Sequence, residues 1–338
     1  MGARNGLLDI LAGRGADRPA VVCPGGMMSL AVAEVMDAEG VAWPEAHRDA
    51  HAMLRLARAM QKATGLDNLA VPFCMTVEAE TYGATVDMGS RTVQPRVRKP
   101  ILPDDAVGEL RTPDFESGRA RTLLDALRLA KDGDEGLPVV GNLVGPFSLL
   151  GMLADPLMVM RWTRRQPERL EAYLDRLTDD LSTFGILQRR AGADVVCIAE
   201  PTATGEILGG KMFRKFVLPR LDRLVGRLQS EGAKVIVHIC GDVRPIEAEL
   251  RELHADAVSF DSMVDLVALV AKRPPWQVMG NVDAFLLHRG PTDTIAASCR
   301  RLIAGGVRLL APACGVIPTT PLAHLKTMRA TAEGSPLR

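Results

Sequence analysis

The sequence predicts an α/β protein with a single (β/α)8 barrel, a TIM barrel, over residues 1–338. Strand-like and helix-like segments alternate almost throughout the 338 residues. Eight strand-like segments can be counted, which is the number that such a barrel needs. Most of them are apolar runs separated by helices, as is typical of a parallel sheet with both faces covered. No G-x-G-x-x-G turn follows the first strand, which counts against a doubly wound dinucleotide-binding sheet.

The strand-like segments combine apolar or β-branched runs with a glycine, proline or polar residue at their ends. They are residues 19–23, 69–73, 137–142, 194–200, 235–240, 257–261, 276–281 and 307–314. After the second of them, residues 76–101 predict an exposed hairpin or excursion. Because no low-complexity linker interrupts the pattern, we expect one domain.

The helical segments fill the intervals between these strands. They are residues 5–13, 43–64, 119–132, 147–161, 167–191, 211–231, 245–253, 264–272, 291–304 and 321–333. Pro44 in the first turn and Gly65 after the last residue are the boundary signals of the helix at 43–64. Pro219 predicts a kink or a break within 211–231.

Composition excludes several classes of function. The 41 basic and 41 acidic residues balance, so no electrostatic footprint for nucleic acid or an anionic membrane is present. Aromatic residues make up only 4%, which also counts against base stacking. No apolar run reaches the length of a membrane span. The six cysteines include no C-x-x-C pair and suit a reduced, cytoplasmic protein.

The strongest functional signal is a candidate metal site. His238 and Cys240 end one apolar strand and, one residue apart, point to the same face. Cys314 ends another apolar strand and is also followed by glycine. Imidazole and thiolate are ligands that zinc prefers, and three protein ligands are typical of catalytic zinc. The alternative is a buried histidine beside two packing cysteines, because free cysteine is often buried.

Further polar residues follow the predicted strands. They are Asn142, Glu200, Asp261, Asn281 and Asp283. In a barrel this rim carries the active site, because the loops that follow it can vary without disturbing the core. His47 and His51 have the spacing of a helical metal pair, but no third ligand is near them in the sequence, so packing or surface roles are favoured.

Several motifs resemble the uroporphyrinogen decarboxylase superfamily and, within it, the methylcobamide:coenzyme M methyltransferase branch. The matching stretches are Gly40-Val41-Ala42-Trp43-Pro44-Glu45-Ala46-His47, Pro72-Phe73, Glu78-Ala79-Glu80 with Gly83, His238-Ile239-Cys240-Gly241-Asp242, Phe260-Asp261, Gly280-Asn281-Val282-Asp283 and Cys314-Gly315. They span residues 20 to 330. The H-x-C…C pattern is the discriminating element, whereas Gly-Asn-Val-Asp is shared more widely.

The resemblance implies a (β/α)8 barrel and a zinc ion held by His238, Cys240 and Cys314. It implies that zinc binds the sulfur of a small-molecule thiol as thiolate. The methyl donor would be methylcobamide (methylcobalamin) on a separate corrinoid protein. Asp261 is then a candidate catalytic residue, as an exchangeable fourth ligand or as a base near the metal; a helix N-cap or a loop carboxylate is an equal alternative.

The remaining rim residues have less specific roles. Glu200 is a candidate catalytic residue that, with Asn142, could orient the substrate or a metal-bound histidine. Asn281 and Asp283 could bind substrate or only shape a loop. Lys211, Arg214 and Arg244 are candidates for binding the sulfonate of coenzyme M by neighbourhood alone.

One departure bears on the alternatives. The decarboxylases of this family carry an arginine-rich loop after the first strand, whereas this chain has Cys23-Pro24-Gly25-Gly26-Met27-Met28, without a cation. A metal-independent decarboxylase of a tetrapyrrole acid would therefore lack its anchoring charges. A third hypothesis is a non-enzymatic module that docks a corrinoid protein and uses zinc structurally.

Overall fold

Eight parallel strands form one curved sheet in the computed structural model, which describes residues 3–102, 110–133, 136–335 and 337. An antiparallel pair, β3 and β4, lies outside that sheet. The strands are β1 (Ala20–Val21), β2 (Leu69–Ala70), β3 (Val86–Asp87), β4 (Arg96–Val97), β5 (Val139–Val144), β6 (Val195–Ala199), β7 (Lys234–Ile239), β8 (Ala257–Phe260), β9 (Gln277–Val282) and β10 (Leu309–Pro312). Their order, β1-β10-β9-β8-β7-β6-β5-β2, is that of a (β/α)8 barrel.

Helices connect the strands and cover the outside of the sheet. They are α1 (Ala3–Leu11), α2 (Ala33–Glu39), α3 (Ala50–Thr64), α4 (Val77–Thr81), α5 (Gly118–Asp132), α6 (Pro146–Leu153), α7 (Pro156–Arg165), α8 (Pro167–Ala191), α9 (Gly205–Met212), α10 (Leu218–Ser230), α11 (Glu247–Leu250), α12 (Leu266–Ala271), α13 (Ala284–Arg289), α14 (Thr292–Ala304) and α15 (Leu322–Glu333). The strands β5 to β10 are almost entirely buried, as the apolar runs predicted. The fold class predicted from the sequence is confirmed.

Strands β1 and β2 stand at the two ends of the strand order, and among the described residues no strand pairing links them. Side chains join them instead. The amide of Asn68 accepts from Cys23 N at 2.9 Å and donates to Cys23 O at 2.8 Å, so it acts as a strand would. Asp67 bonds both main-chain groups of Val21, at 2.8 and 2.9 Å. Arg18 and Arg329 pair with the same carboxylate, at 2.6 and 2.7 Å. These contacts complete the barrel, although both strands contain only two residues.

Several predicted boundaries were wrong. The helix at 43–64 begins only at Ala50, because Asp49 caps it by accepting from Ala52 N. Pro44 instead precedes a short 3₁₀ turn, Glu45–His47. The helix at 147–161 is two helices, since Asp155 accepts from Leu157 N and starts α7.

Other corrections concern the excursion and the break at proline. The hairpin is present, but its strands cover only β3 and β4, and residues 77–81 are the helix α4. In the segment at 211–231, the irregularity predicted at Pro219 is a π-helical turn over Phe213–Val217, just before that proline. The segment at 245–253 is a 3₁₀ turn, Arg244–Ile246, followed by the short α11. Helices α2 and α13 and most of α9 were not anticipated.

One finding concerns membranes. Within the described residues, no helix combines the length and the apolar character that crossing a bilayer requires.

Candidate metal centre and active site

Strand β7 places two possible metal ligands at the mouth of the barrel. His238 is a fully buried residue of β7, and Cys240 follows that strand at a partly exposed position. Because one residue separates them, their side chains leave the strand on the same face. The Nε2 atom of His238 lies 3.1 Å from the Sγ atom of Cys240.

Strand β10 supplies the third possible metal ligand. Cys314 follows β10 by two residues, and β8 and β9 lie between β7 and β10 in the sheet. The curvature of the barrel nevertheless brings the strand ends together. The ligand atoms of His238, Cys240 and Cys314 all lie within 4.8 Å of one another. Among the described residues this is the one group of three potential ligands that are so close.

The two thiols of this cluster interact directly. The Cys240 thiol and His238 stabilise the Cys314 thiolate, which lowers the pKa of Cys314 although burial alone would raise it. The pKa of Cys240 is raised, because Cys240 gives its proton to the bond with Cys314 and is also buried. The cluster therefore favours one thiolate even without a cation. A metal ion can take the second proton as well, because coordination deprotonates a thiol.

Ser259 fixes the other side of the imidazole. It pairs with His238 in the register between β7 and β8 and is fully buried. Its Oγ atom lies 3.1 Å from Nδ1 of His238. The Nε2 atom is thus left facing the cysteines. Sequence reasoning missed Ser259, since its pairing follows from the register between strands and not from spacing along the chain.

Asp261 ties two loops of the rim together. Its Oδ2 atom accepts from Gly241 N at 3.3 Å, and its Oδ1 atom accepts from Met263 N at 3.3 Å. The charge of this carboxylate contributes to the raised pKa of Cys240, after the Cys314 bond and burial. The loop-carboxylate alternative is therefore supported, and Asp261 is also close to the cluster.

Glu200 directly follows β6 and is a fully buried carboxylate. It accepts from Phe147 N and Ser148 N, at 3.0 and 2.6 Å, and from the Ser148 hydroxyl, and so caps the N-terminus of α6. Burial raises the pKa of Glu200 to about 7, against the effect of these hydrogen bonds. Its own N–H donates to the carbonyl of His238 at 2.9 Å. Glu200 therefore contacts β7, the strand that carries His238, through its main chain.

The other predicted rim residues contact loops. Asn142 is buried, and its Nδ2 donates to Pro24 O at 3.3 Å. Asn281 donates to the carbonyls of Asp261 and Val264, both at 2.8 Å. Asp283 caps α13 by accepting from Leu286 N at 2.7 Å. The loop-shaping alternative accounts for the contacts of Asn281 and Asp283.

The histidine pair at 47 and 51 does not form a metal site among the described residues. His47 is 1% exposed and packs against Trp43 and Phe73, with ring centroids 5.2 and 6.2 Å apart, whereas His51 is exposed. Burial lowers the pKa of His47 to about 3, which keeps its ring neutral.

Two of the three cations considered for a sulfonate are already paired. Arg244 bonds the carboxylate of Asp242 at 2.6 Å. Arg214 bonds Glu252 at 2.8 Å and Glu249 at 3.4 Å. Lys211 has no carboxylate within 4.0 Å among the residues that the structure describes. The position of an acceptor's anionic group therefore does not follow from neighbourhood in the sequence.

Comparisons with known proteins find relatives along nearly the whole chain. The family model described as uroporphyrinogen decarboxylase (URO-D) matches residues 3–334. Methylcobamide:CoM methyltransferase MtaA of Methanosarcina barkeri is 29% identical over 334 residues, covering 97% of this chain and 96% of its own length. Methylcobamide:CoM methyltransferase MtbA of Methanosarcina acetivorans is 30% identical, covering 92% of both chains. A solved methyltransferase from Methanosarcina mazei superposes with a TM-score of 0.92 at 29% identity, covering 99% of both chains.

Proposed function

Because this chain belongs to the uroporphyrinogen decarboxylase family and is a methyltransferase, we propose that it moves a methyl group from a methylated corrinoid to a thiol. The corrinoid would be carried by a partner protein, and the thiol would be coenzyme M or a similar small molecule. The single observation that carries this proposal is the cluster of one imidazole and two thiols at the mouth of the barrel.

The chemistry of the donor set fits zinc. One nitrogen and two sulfur ligands leave room for a fourth ligand in a tetrahedral site, which is the arrangement of catalytic zinc. His238, Cys240 and Cys314 would hold the ion, which when bound would keep an acceptor thiol deprotonated. Two protein thiolates and a neutral imidazole would balance the charge of Zn²⁺, so an added thiolate would make the centre anionic and its sulfur would stay nucleophilic.

The proposed role of the metal site is to keep the acceptor thiol in its thiolate form. A free thiol has a pKa near 8.5 and is mostly protonated at neutral pH, whereas the thiolate is the nucleophile. The thiolate sulfur attacks the methyl carbon, the carbon–cobalt bond breaks, and its electron pair stays on cobalt. A methyl thioether and a cob(I)amide result. Asp261 can serve as the exchangeable fourth ligand or as a base, while Glu200 orients the strand of His238 through its main chain.

The binding of substrate rests on the loops that the polar rim residues hold. Asn142, within β5, ties that strand to the segment after β1, and Asn281 and Asp283 fix the loops after β8 and β9. We propose that these three residues bind substrate mainly by setting the shape of the mouth, because the contacts of their side chains go to the protein.

Two of the exposed apolar side chains are candidates for docking a protein that carries the corrinoid. The described chain exposes six large hydrophobic residues by 37% to 71%. They are Val93, Ile101, Leu157, Ile207, Met263 and Phe285. Met263 and Phe285 stand within three residues of β8 and β9 respectively. Because both lie just beyond strand ends at the mouth of the barrel, we propose that they contact the protein that carries the corrinoid.

The two alternatives have less support. The segment Cys23–Met28, which would have to grip carboxylates in a porphyrinogen decarboxylase, contains no cation. Relatives named uroporphyrinogen decarboxylase, such as that of Chloroflexus aggregans, match 72% of this chain at 28% identity. Against a purely structural zinc, two of the three ligands are partly exposed at the mouth of the barrel. The six free cysteines fit a reducing compartment, and we propose a cytoplasmic location.

The decisive experiment combines metal analysis with a transfer assay. Protein purified without added metal should contain about one zinc per chain, consistent with three ligands and an exchangeable fourth. It should demethylate methylcobalamin in the presence of coenzyme M or another thiol and release the methyl thioether. Protein that neither contains nor binds zinc, or zinc-loaded protein that transfers no methyl group to any thiol of the panel, would contradict the proposal.

A further inference from the structure

The third candidate ligand, Cys314, lies beyond the part of its strand that the sheet holds. Strand β10 ends two residues before it. Among the described residues, the last bond of this strand end to β9 is made by Ala313 N, which donates to Val282 O at 2.8 Å. Cys240, in contrast, directly follows β7. Contacts other than strand pairing must therefore hold Cys314 near the other two ligands.

Residues 24–29, the segment after β1, contact the chain just after the third ligand. Val316 N donates to Ser29 O at 3.2 Å. Gly315 packs so closely on this segment that a Cβ atom at its position would overlap the carbonyl oxygen of Met27. Because that oxygen belongs to the main chain, it cannot rotate away as the end of a side chain would. The close approach therefore requires glycine and holds the loop of the third ligand against the segment.

The 24–29 segment is also fixed to strands on its other side. Gly26 N donates to Pro72 O, just after β2, at 2.8 Å. Asn142, in β5, donates from Nδ2 to Pro24 O at 3.3 Å. The side chain of Asn142 is buried, and a Cβ atom on Gly26 would overlap its amide group. The segment therefore connects β2 and β5 to the loop that follows β10.

We propose that Gly315 and Asn142 are positioning residues for the metal centre. Through the 24–29 segment they fix the place of Cys314, and so decide whether two thiols or one can reach the same ion. Asn142 does this from β5, a strand that carries none of the three ligands. The inference rests on the proposed function for the identity of the ion, but the placement of the two thiols exists without metal.

The variant Gly315→Ala tests the close approach. The added methyl group should displace Cys314 and weaken zinc binding about 10- to 100-fold, as is usual when a group that orients a ligand is lost. It should also reduce the thiolate-to-metal bands of the cobalt protein toward those of Cys314→Ala. The matched control is Gly226→Ala in α10, where a Cβ atom meets no atom within 4 Å outside its own helix, and neither reading should change. Wild-type zinc affinity in Gly315→Ala would overturn the inference.

The variant Asn142→Ala tests the same loop from the other side of the segment. Loss of the bond to Pro24 O should weaken zinc binding in the same direction but less, because no atom is added next to Cys314. The melting temperature of metal-free protein is measured beside it, since a merely structural role would lower that temperature and leave the cobalt bands unchanged. If Gly315→Ala does not fold, unchanged zinc affinity in Asn142→Ala overturns the inference.

A probe of the thiols themselves separates this inference from the proposed function. Phenylarsine oxide joins two neighbouring thiols: both sulfurs bind arsenic, and its oxygen leaves with the two thiol protons as water. Cys240 and Cys314 are the two partly exposed cysteines, so they should react first in metal-free protein. Gly315→Ala should slow this bridging about tenfold or more, because the second sulfur reacts only when it is close. Gly226→Ala should react as the wild-type protein does.

The outcomes of this reaction are decisive in both directions. Equal bridging rates in Gly315→Ala and the wild-type protein would overturn the inference even if zinc binding and methyl transfer are found. Slower bridging in Gly315→Ala, in a protein that transfers no methyl group to any thiol, would support the inference, and only the proposed function would then fail.

Discussion

Nε2 of His238 and Sγ of Cys240 lie 3.1 Å apart at the end of β7, with Ile239 between the two residues pointing into the core. This alternation places a nitrogen and a sulfur ligand on one face without any special loop. The third ligand depends on tertiary structure, because Cys314 reaches the pair from β10. The pair and the third ligand can therefore be tested separately.

The first prediction concerns Cys314→Ala. The variant should remain folded, because this partly exposed residue lies beyond the end of β10 and contributes little to the core. It should bind zinc more weakly, since one of three ligands is missing, and it should not methylate thiols even when saturated with zinc. A thermal melt and a methylcobalamin assay on the same sample measure both effects.

Cys299→Ala is the matched control for this prediction. Cys299 is fully buried on α14 and is not part of the cluster. Its loss should cost about 1 kcal/mol of folding free energy and leave zinc content and transfer unchanged. Unfolding of Cys314→Ala would indicate structural zinc, because such domains lose their fold with a ligand. Full activity of Cys314→Ala would remove this residue from the mechanism.

The second prediction decides between the two roles of Asp261. Cobalt in the wild-type site should show intense thiolate-to-metal charge-transfer bands. If Asp261 is the fourth ligand at rest, Asp261→Asn should alter the cobalt spectrum before the acceptor thiol is added. The two spectra should become alike afterwards, because the thiol replaces the carboxylate. Identical spectra without thiol would assign Asp261 to the loop contacts with Gly241 and Met263 alone. A spectrum with only nitrogen and oxygen ligation would exclude both cysteines.

The sequence was sufficient for most of the fold. All eight barrel strands were predicted, because their apolar runs have few alternatives to a buried parallel sheet. The errors lie where a local cap overrides a pattern. Asp49 and Asp155 begin helices after the residues at which the periodicity starts. The helix α13 was missed because it is a single short segment directly after β9.

The site was predictable only in part, for a physical reason. Spacing along a strand reveals His238 and Cys240, and the similar strand end reveals Cys314. Side-chain partners across strands cannot be read in this way, because they depend on register. The pairing of Ser259 with His238 and the cap that Glu200 forms on α6 therefore emerge only from the structure.

The third prediction uses the buried carboxylate of Glu200. Burial raises its pKa from 4.5 to about 7, so the folded state binds more protons than the unfolded state between these values. Stability should therefore fall as the pH rises through this window, by about 3 kcal/mol for this group. Glu200→Gln should make the curve of unfolding free energy against pH flatter between pH 4.5 and 7.

Two further variants complete this test. Glu78 is also a buried carboxylate, and burial raises its pKa to about 7. The variant Glu78→Gln should therefore flatten the curve in a similar way. Glu168→Gln, on the exposed side of α8, should leave the curve unchanged. A curve for Glu200→Gln that is as steep as that of the wild-type protein would show that Glu200 is already ionised in the folded state.

The last prediction tests the docking surface at Phe285, which is 71% exposed just after β9. Phe285→Ser should lower kcat/KM about tenfold when the methyl donor is a corrinoid protein, because an exposed aromatic anchor is lost. With free methylcobalamin the rate should stay unchanged, since no protein surface is then buried and the metal cluster is intact. Lys62→Ser changes an exposed residue in the last turn of α3, and it should leave the rate unchanged with either donor. Equal losses with both donors would place Phe285 in the site itself, and no loss with either would remove it from the docking surface.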